Sequence, residues 1–225
     1  MSNQNNQLVK SNQQLQTYSL ETKKEFLQNM IDSGQLPVYI KKVETAFAIA
    51  SMGYALGFQE MISFNYIISI QGKLTLSAKA QQAILRRHGV KWRTLEDYHY
   101  CYADGSIEDR KMAKKDADGN EIPAIDIRTV IEFERDGIKE VVKFYHSDAQ
   151  AAQLLEKDVW KKYKKNMFWA RCFTLGATRV GSDLLLGLYN TDEMFDALGL
   201  DEDMVVRNGK GEILNVIDTD YKEAE

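Results

Sequence analysis

Apolar residues recur along this chain at two periods, and the places where the period changes divide it into elements. A short amphipathic helix is predicted from Tyr18 to Ile31, stopped by Asp32-Ser33-Gly34. Val43, Ala46, Phe47, Ala50 and Tyr54 keep helical spacing and predict a second helix within 38–56, with Gly57 as its stop. The period then shortens. Ile67 to Ile70 reads as a strand, Gln71-Gly72 as a turn, Leu74 to Leu76 as the return strand, and Ser77 as the cap of a helix that runs to His88 and stops at Gly89. Three longer strands follow at 91–102, 124–135 and 138–145. In the second, Ile125, Ile127, Ile131 and Phe133 point inward and Asp126, Arg128, Glu132 and Glu134 outward, and Asp136-Gly137 makes the hairpin turn into the third. The charged stretch 106–123 reads as an exposed loop or long hairpin tip. Ser147-Asp148-Ala149-Gln150 has the form of a capping box, and a long helix is predicted over 158–186. Helices, a hairpin with its helix, a three-stranded antiparallel meander and further helices in this order predict an α+β fold.

The long helical segment carries unusual chemistry. "VWKKYKKNMFWARCF", residues 159–173, concentrates four lysines and an arginine among large rings. At 100° per residue Trp160, Tyr163, Met167, Ala170, Thr174 and Ala177 form a packing face. Lys161, Lys164, Lys165, Arg171 and Arg179 fall on a neighbouring arc shared with Phe168 and Leu175, while Lys162 points elsewhere. Most lysine runs are solvated faces. Here Lys161 to Lys165 contains no acid for the usual i,i+4 pairs, and Arg171 sits in a stretch otherwise free of charge, where a guanidinium needs a partner. An internal carboxylate would satisfy Arg171 as well as a phosphate would. Cations interleaved with stackable rings are the ingredients for holding a single nucleic-acid strand.

Charge distribution strengthens that direction. The chain holds 29 Lys and Arg against 33 Asp and Glu, a net charge of −4. Residues 192–225 alone contribute −8, which leaves +4 on the rest and suggests a polyanionic partner for the body. Lys73 at the hairpin, Lys79 and Arg86 on the following helix, and Lys91 and Arg93 on the next strand are further candidates for a basic surface. Helix-terminal cations that complement the dipole account for Arg86, Arg87 and His88, but not for Lys91 and Arg93. The Tyr98, Tyr100 and Tyr102 stripe reads as core ahead of base platform. The organisation expected is a disordered tail over 1–17, a core over 18–191 and an acidic tail over 192–225, with no membrane-spanning run.

Signals for catalysis are weak. The three histidines are scattered, and no phosphate-binding glycine loop or nucleophile elbow is present. Asp126, Glu132 and Glu134 share a strand face and would suit a metal-dependent nuclease, but they read first as a solvated face paired with Lys139 and Lys143. Cys101 and Cys172 read as reduced thiols of a cytoplasmic protein.

Two blocks carry a family resemblance. "IISIQGKLTLSAKAQQAILRRHG" is a strand, a turn with Gly and a basic residue, and a helix ending in Arg-x-Gly. "VWKKYKKNMFWAR" places Trp160, Tyr163, Met167 and Arg171 in the order Trp, aromatic, Met, basic. With the meander between them, over roughly 40–192, the chain resembles the RecT family of phage single-strand annealing recombinases, relatives of the lambda Red beta protein. The resemblance implies a non-enzymatic, ATP-independent protein without cofactor, phage or prophage encoded, acting in homologous recombination in the cytoplasm of a bacterial host. It implies single-stranded DNA and the annealed duplex intermediate as ligands, homo-oligomers in rings or helical filaments, and a phage exonuclease and host single-strand binding protein as further partners. DNA would lie in a basic groove lined by the hairpin and the long helix, which points to Gln71, Gly72, Lys73, Lys161, Lys164, Lys165 and Arg171. The family's basic residue before the turn glycine is Gln71 here, with Lys73 after it. A rival expectation is a phage regulatory or structural protein acting through protein contacts and its acidic tail.

Overall fold

The computed structural model describes residues 19–37, 39–109, 114–197, 205–207 and 213–216. The α+β reading holds, and the chain divides into two compact units, Met1–Ser77 with Asp203–Glu225, and Ala78–Glu202. The expected tail over 1–17 lies outside the described residues.

In the first unit, helix α1 (Leu20–Asp32) opens on Ser19, whose hydroxyl accepts the Thr22 N–H at 3.2 Å and satisfies one of the orphan donors of the first turn. Helix α2 (Val43–Ala55) begins later than its periodicity suggested. Helix α3 (Glu60–Tyr66), which the sequence did not announce, packs where Gly53 of α2 has no Cβ and Ser63 of α3 takes the space. The Tyr39 hydroxyl donates to the Phe64 carbonyl at 2.9 Å, and burial pushes this phenol up to about 12. Strands β1 (Ile67–Ile70) and β2 (Lys73–Leu76) form the expected hairpin, with Ile70 opposite Lys73. Its two turn residues, Gln71 and Gly72, both have positive φ (48° and 75°), the signature of a type I′ turn. The short tail hairpin pairs β7 (Val205–Arg207) with β8 (Ile213–Val216).

In the second unit, helix α4 (Ala78–Arg87) leads into a four-stranded antiparallel sheet. It comprises β3 (Lys91–Cys101), β4 (Ile107–Glu108), β5 (Asp126–Arg135) and β6 (Ile138–Tyr145), in the order β4-β3-β5-β6. The predicted meander is β3-β5-β6, and the two-residue β4 is an addition from within the charged excursion. After α5 (His146–Ala151) and a short 3-10 turn (Leu154–Glu156) come α6 (Asp158–Lys162), α7 (Lys164–Gly181) and α8 (Thr191–Ala197). Helix α7 covers one sheet face. Phe168, Cys172, Phe173, Gly176 and Ala177 are buried on it, opposite a sheet core of Thr129, Ile131, Phe133, Val142 and Phe144. Cys172 Sγ lies 3.4 Å from the Thr129 and Val142 carbonyls, and burial pushes its thiol up to about 12; both cysteines are free.

Several expectations need correction. The single helix over 158–186 is two helices broken at Tyr163 (φ −128°, ψ 38°). Residues eight apart in an unbroken helix lie about 12 Å apart along the axis, whereas the break lets the Trp160 and Phe168 ring centroids meet at 5.7 Å. It also spares Lys161 and Lys165 an i,i+4 repulsion. The packing face shifts accordingly. Tyr163 turns to the surface, and Phe168, expected on the cationic arc, is fully buried. Ile125, expected inward, lies just before β5 and is exposed, and Val130 of β5 is buried on the face away from α7. The alternation in β3 is interrupted by irregularities between Thr94 and His99, where Tyr98 takes φ 63°.

Candidate nucleic-acid interface

Four lysines gather around the break at Tyr163. Lys161, Lys162, Lys164 and Lys165 are all exposed around it, and the Tyr163 ring is 36% exposed. The expected lack of acids at helical spacing does not hold, because Asp158 stands four residues before Lys162, and most of these cations do not stand alone. Lys165 reaches Asp97 of β3 at 3.0 Å, Lys161 reaches Glu156 at 3.7 Å, and Lys162 reaches Asp158 at 3.9 Å. Among the described residues Lys164 makes no ion pair. Exposed pairs of this kind contribute about 0–1 kcal/mol, so a phosphate can replace the carboxylate at little cost.

The other candidates separate into distinct environments. Gln71, Gly72 and Lys73 lie exposed at the hairpin tip of the first unit, and the rest belong to the second. Lys79 is exposed on α4. Arg86 sits 4.8 Å above the Trp92 ring, a cation–π contact. Lys91 and Arg93 meet Glu134 (3.9 Å) and Glu132 (3.0 Å) across the β3–β5 ladder, and Arg179 meets Glu140 at 3.2 Å. Of the expected pairs with Lys139 and Lys143, the one with Lys139 is present, on Glu132 at 3.4 Å, while the other partners are Arg93 on Glu132 and Lys91 on Glu134 in place of Lys143. Asp126 instead accepts the Ser147 hydroxyl at 2.7 Å. Among the described residues no group of three or more His, Cys, Asp or Glu side chains could hold a metal ion.

Arg171 is not an open phosphate contact. Its Nη1 lies 3.5 Å from Glu193 Oε1 of α8, with the two side chains 13% and 24% exposed. Burial lowers the pKa of the guanidinium against the pull of Glu193 and Asp192, and burial raises that of the Glu193 carboxyl against the pull of Arg171. The partner of Arg171 is therefore the internal carboxylate. It comes from the segment expected to be a separate acidic tail, whose first residues are helix α8.

Sequence reasoning also missed two rings. Trp169 stacks on Phe173 at 5.1 Å with 13° between the planes, and its Nε1 donates to Thr94 Oγ1 at 3.0 Å. Trp92 meets Phe173 edge-on at 5.2 Å. The signal available was the i,i+4 spacing that places Lys165 and Trp169 on one face of α7.

No protein-family model, curated protein or solved structure matches this chain. Among the described residues no helix is long and apolar enough to cross a membrane.

Proposed function

We propose that this protein binds single-stranded DNA and anneals complementary strands without nucleotide hydrolysis, as its resemblance to the RecT family implies. The observation that carries the reading is the α6–α7 break, where four exposed lysines surround an exposed tyrosine. Lysine ammoniums bind phosphates without regard to sequence, and release of counterions from the strand drives association. The carboxylates beside Lys161 and Lys165 keep the free protein from repelling itself and yield to phosphate. In the other unit, Lys73 is exposed at the tip of a hairpin fixed by its type I′ turn.

Annealing requires several protein copies along one strand. The first unit exposes Leu20, Phe26, Tyr54, Met61 and Ile62, apolar area suited to contacts between copies in a ring or filament. The same residues favour the second reading, a phage protein whose work is done through protein contacts. One experiment separates the two. Two complementary labelled oligonucleotides are mixed with the protein in the presence of chelator and without nucleotide. Faster duplex formation is expected; an unchanged rate, with no retention of either strand, supports the protein-contact reading instead.

A further inference from the structure

Resting on the single-strand reading, we propose that Trp92 and Trp169 form a stacking site for unpaired bases, with Arg86 and Lys165 holding the neighbouring phosphates. The site is a row that crosses the second unit from α7 over β3 to α4. Lys165 precedes Trp169 by four residues on the same face of α7. The Trp169 ring stacks on the buried Phe173 ring, Phe173 meets Trp92 edge-on, and the Arg86 guanidinium lies over Trp92. Two half-buried indoles thus flank one buried phenyl ring, with a cation at each end of the row.

The third tryptophan, Trp160, shows what a core indole looks like in this protein. It is 1% exposed, and Phe144 and Phe168 pack against it. Trp92 and Trp169 stay partly open, beside a stretch of β3 from Arg93 to Leu95 whose side chains are exposed. Among the described residues β4 pairs with β3 only at Tyr100 and Cys101, away from Trp92 and Thr94. The Trp169 N–H is tied to Thr94, which fixes the ring before any ligand arrives. On Trp92, the planar guanidinium of Arg86 occupies a π-face that a base can take, and Arg86 is then free to pair with the adjoining phosphate. Stacking of this kind tolerates any base, as annealing of arbitrary sequences demands.

The test compares the affinity of the full-length protein for oligo(dT) and for an abasic strand of equal length and charge, at one fixed salt concentration. The wild-type protein should prefer oligo(dT) by roughly five-fold or more for each stacked base. Trp92→Leu and Trp169→Leu should each reduce that preference, lowering affinity for oligo(dT) more than for the abasic strand. Where a leucine variant fails to fold, the tryptophan fluorescence of the wild-type protein decides: oligo(dT) should quench it more than the abasic strand does, and an equal response to both overturns the site. Equal wild-type affinity for the two strands overturns the stacking site and leaves binding through the lysines standing. So does a preference that survives both substitutions. No measurable binding to either strand overturns the single-strand reading itself, and the stacking site with it.

Discussion

Any Cβ added at Gly176 would fall inside the Phe133 ring, so at this point the α7 backbone lies directly on the sheet. Gly176→Ala should therefore destabilise the protein by about 1–3 kcal/mol through overpacking, read as a lower urea midpoint. An unchanged midpoint would contradict the close approach. Arg171 gives the second prediction at this scale. Replacing it with Ala leaves Glu193 half-buried without its cation, which should lower stability by about 2 kcal/mol, less than the cost of breaking a fully buried pair. Affinity for single strands should stay near the wild-type value; a large loss of affinity at unchanged stability would restore Arg171 to the DNA. The sequence showed that Arg171 needed a partner. It could not show which, because Glu193 is 22 residues away and reaches Arg171 only once α8 docks. The same limit applies to Asp97 and Glu140, carboxylates brought to Lys165 and Arg179 by the packing of α7 on the sheet rather than by helical spacing.

Elements were legible where one local rule decided them. Gln71-Gly72 and Asp136-Gly137 mark their turns because both residues of each pair need positive φ, and the strands beside them follow by alternation. The break at Tyr163 was not legible, since the apolar period continues through it and the cause is tertiary, the packing of Trp160 against Phe168. Helix α3 was hidden for a similar reason: its seven residues hold their place through the Gly53–Ser63 contact more than through any pattern of their own. At the far end of α7, Arg135 of β5 donates to the Val180 carbonyl at 2.7 Å and binds Asp183 in a two-pronged pair at 2.6 and 2.8 Å. It satisfies a free carbonyl at the helix end and ties that end to the β5–β6 turn. Arg135 holds the Asp183 carboxyl down at about 2, below its ordinary value near 4. A depressed folded pKa gives a contribution that is complete above the unfolded value and is lost as pH falls toward the folded one. The melting temperature of the wild-type protein should thus exceed that of Asp183→Asn at pH 6, and the gap should close between about pH 4 and pH 2. A gap that is constant over that range would show that the ionised pair is not its source.

For the whole molecule, composition suggested a basic body with an acidic tail, and the fold modifies that division. The boundary expected at residue 192 falls inside α8, where Glu193 pairs with Arg171 and Met194 and Phe195 are buried, so the first acids of the tail belong to the body. What the sequence presented as one core, 18–191, is two units. Its basic surface is a set of cations, most of them already matched by carboxylates from elsewhere in the fold. The central claim is that the exposed lysines at the α6–α7 break exchange those weak partners for phosphates. The measurement that tests it most directly is the salt dependence of oligo(dT) affinity for the wild-type protein and for Lys161→Ala/Lys164→Ala/Lys165→Ala. The triple variant should bind more weakly, with a log–log salt slope shallower by about 0.7 for each phosphate it no longer neutralises. The same affinity and the same slope in both proteins would contradict the exchange.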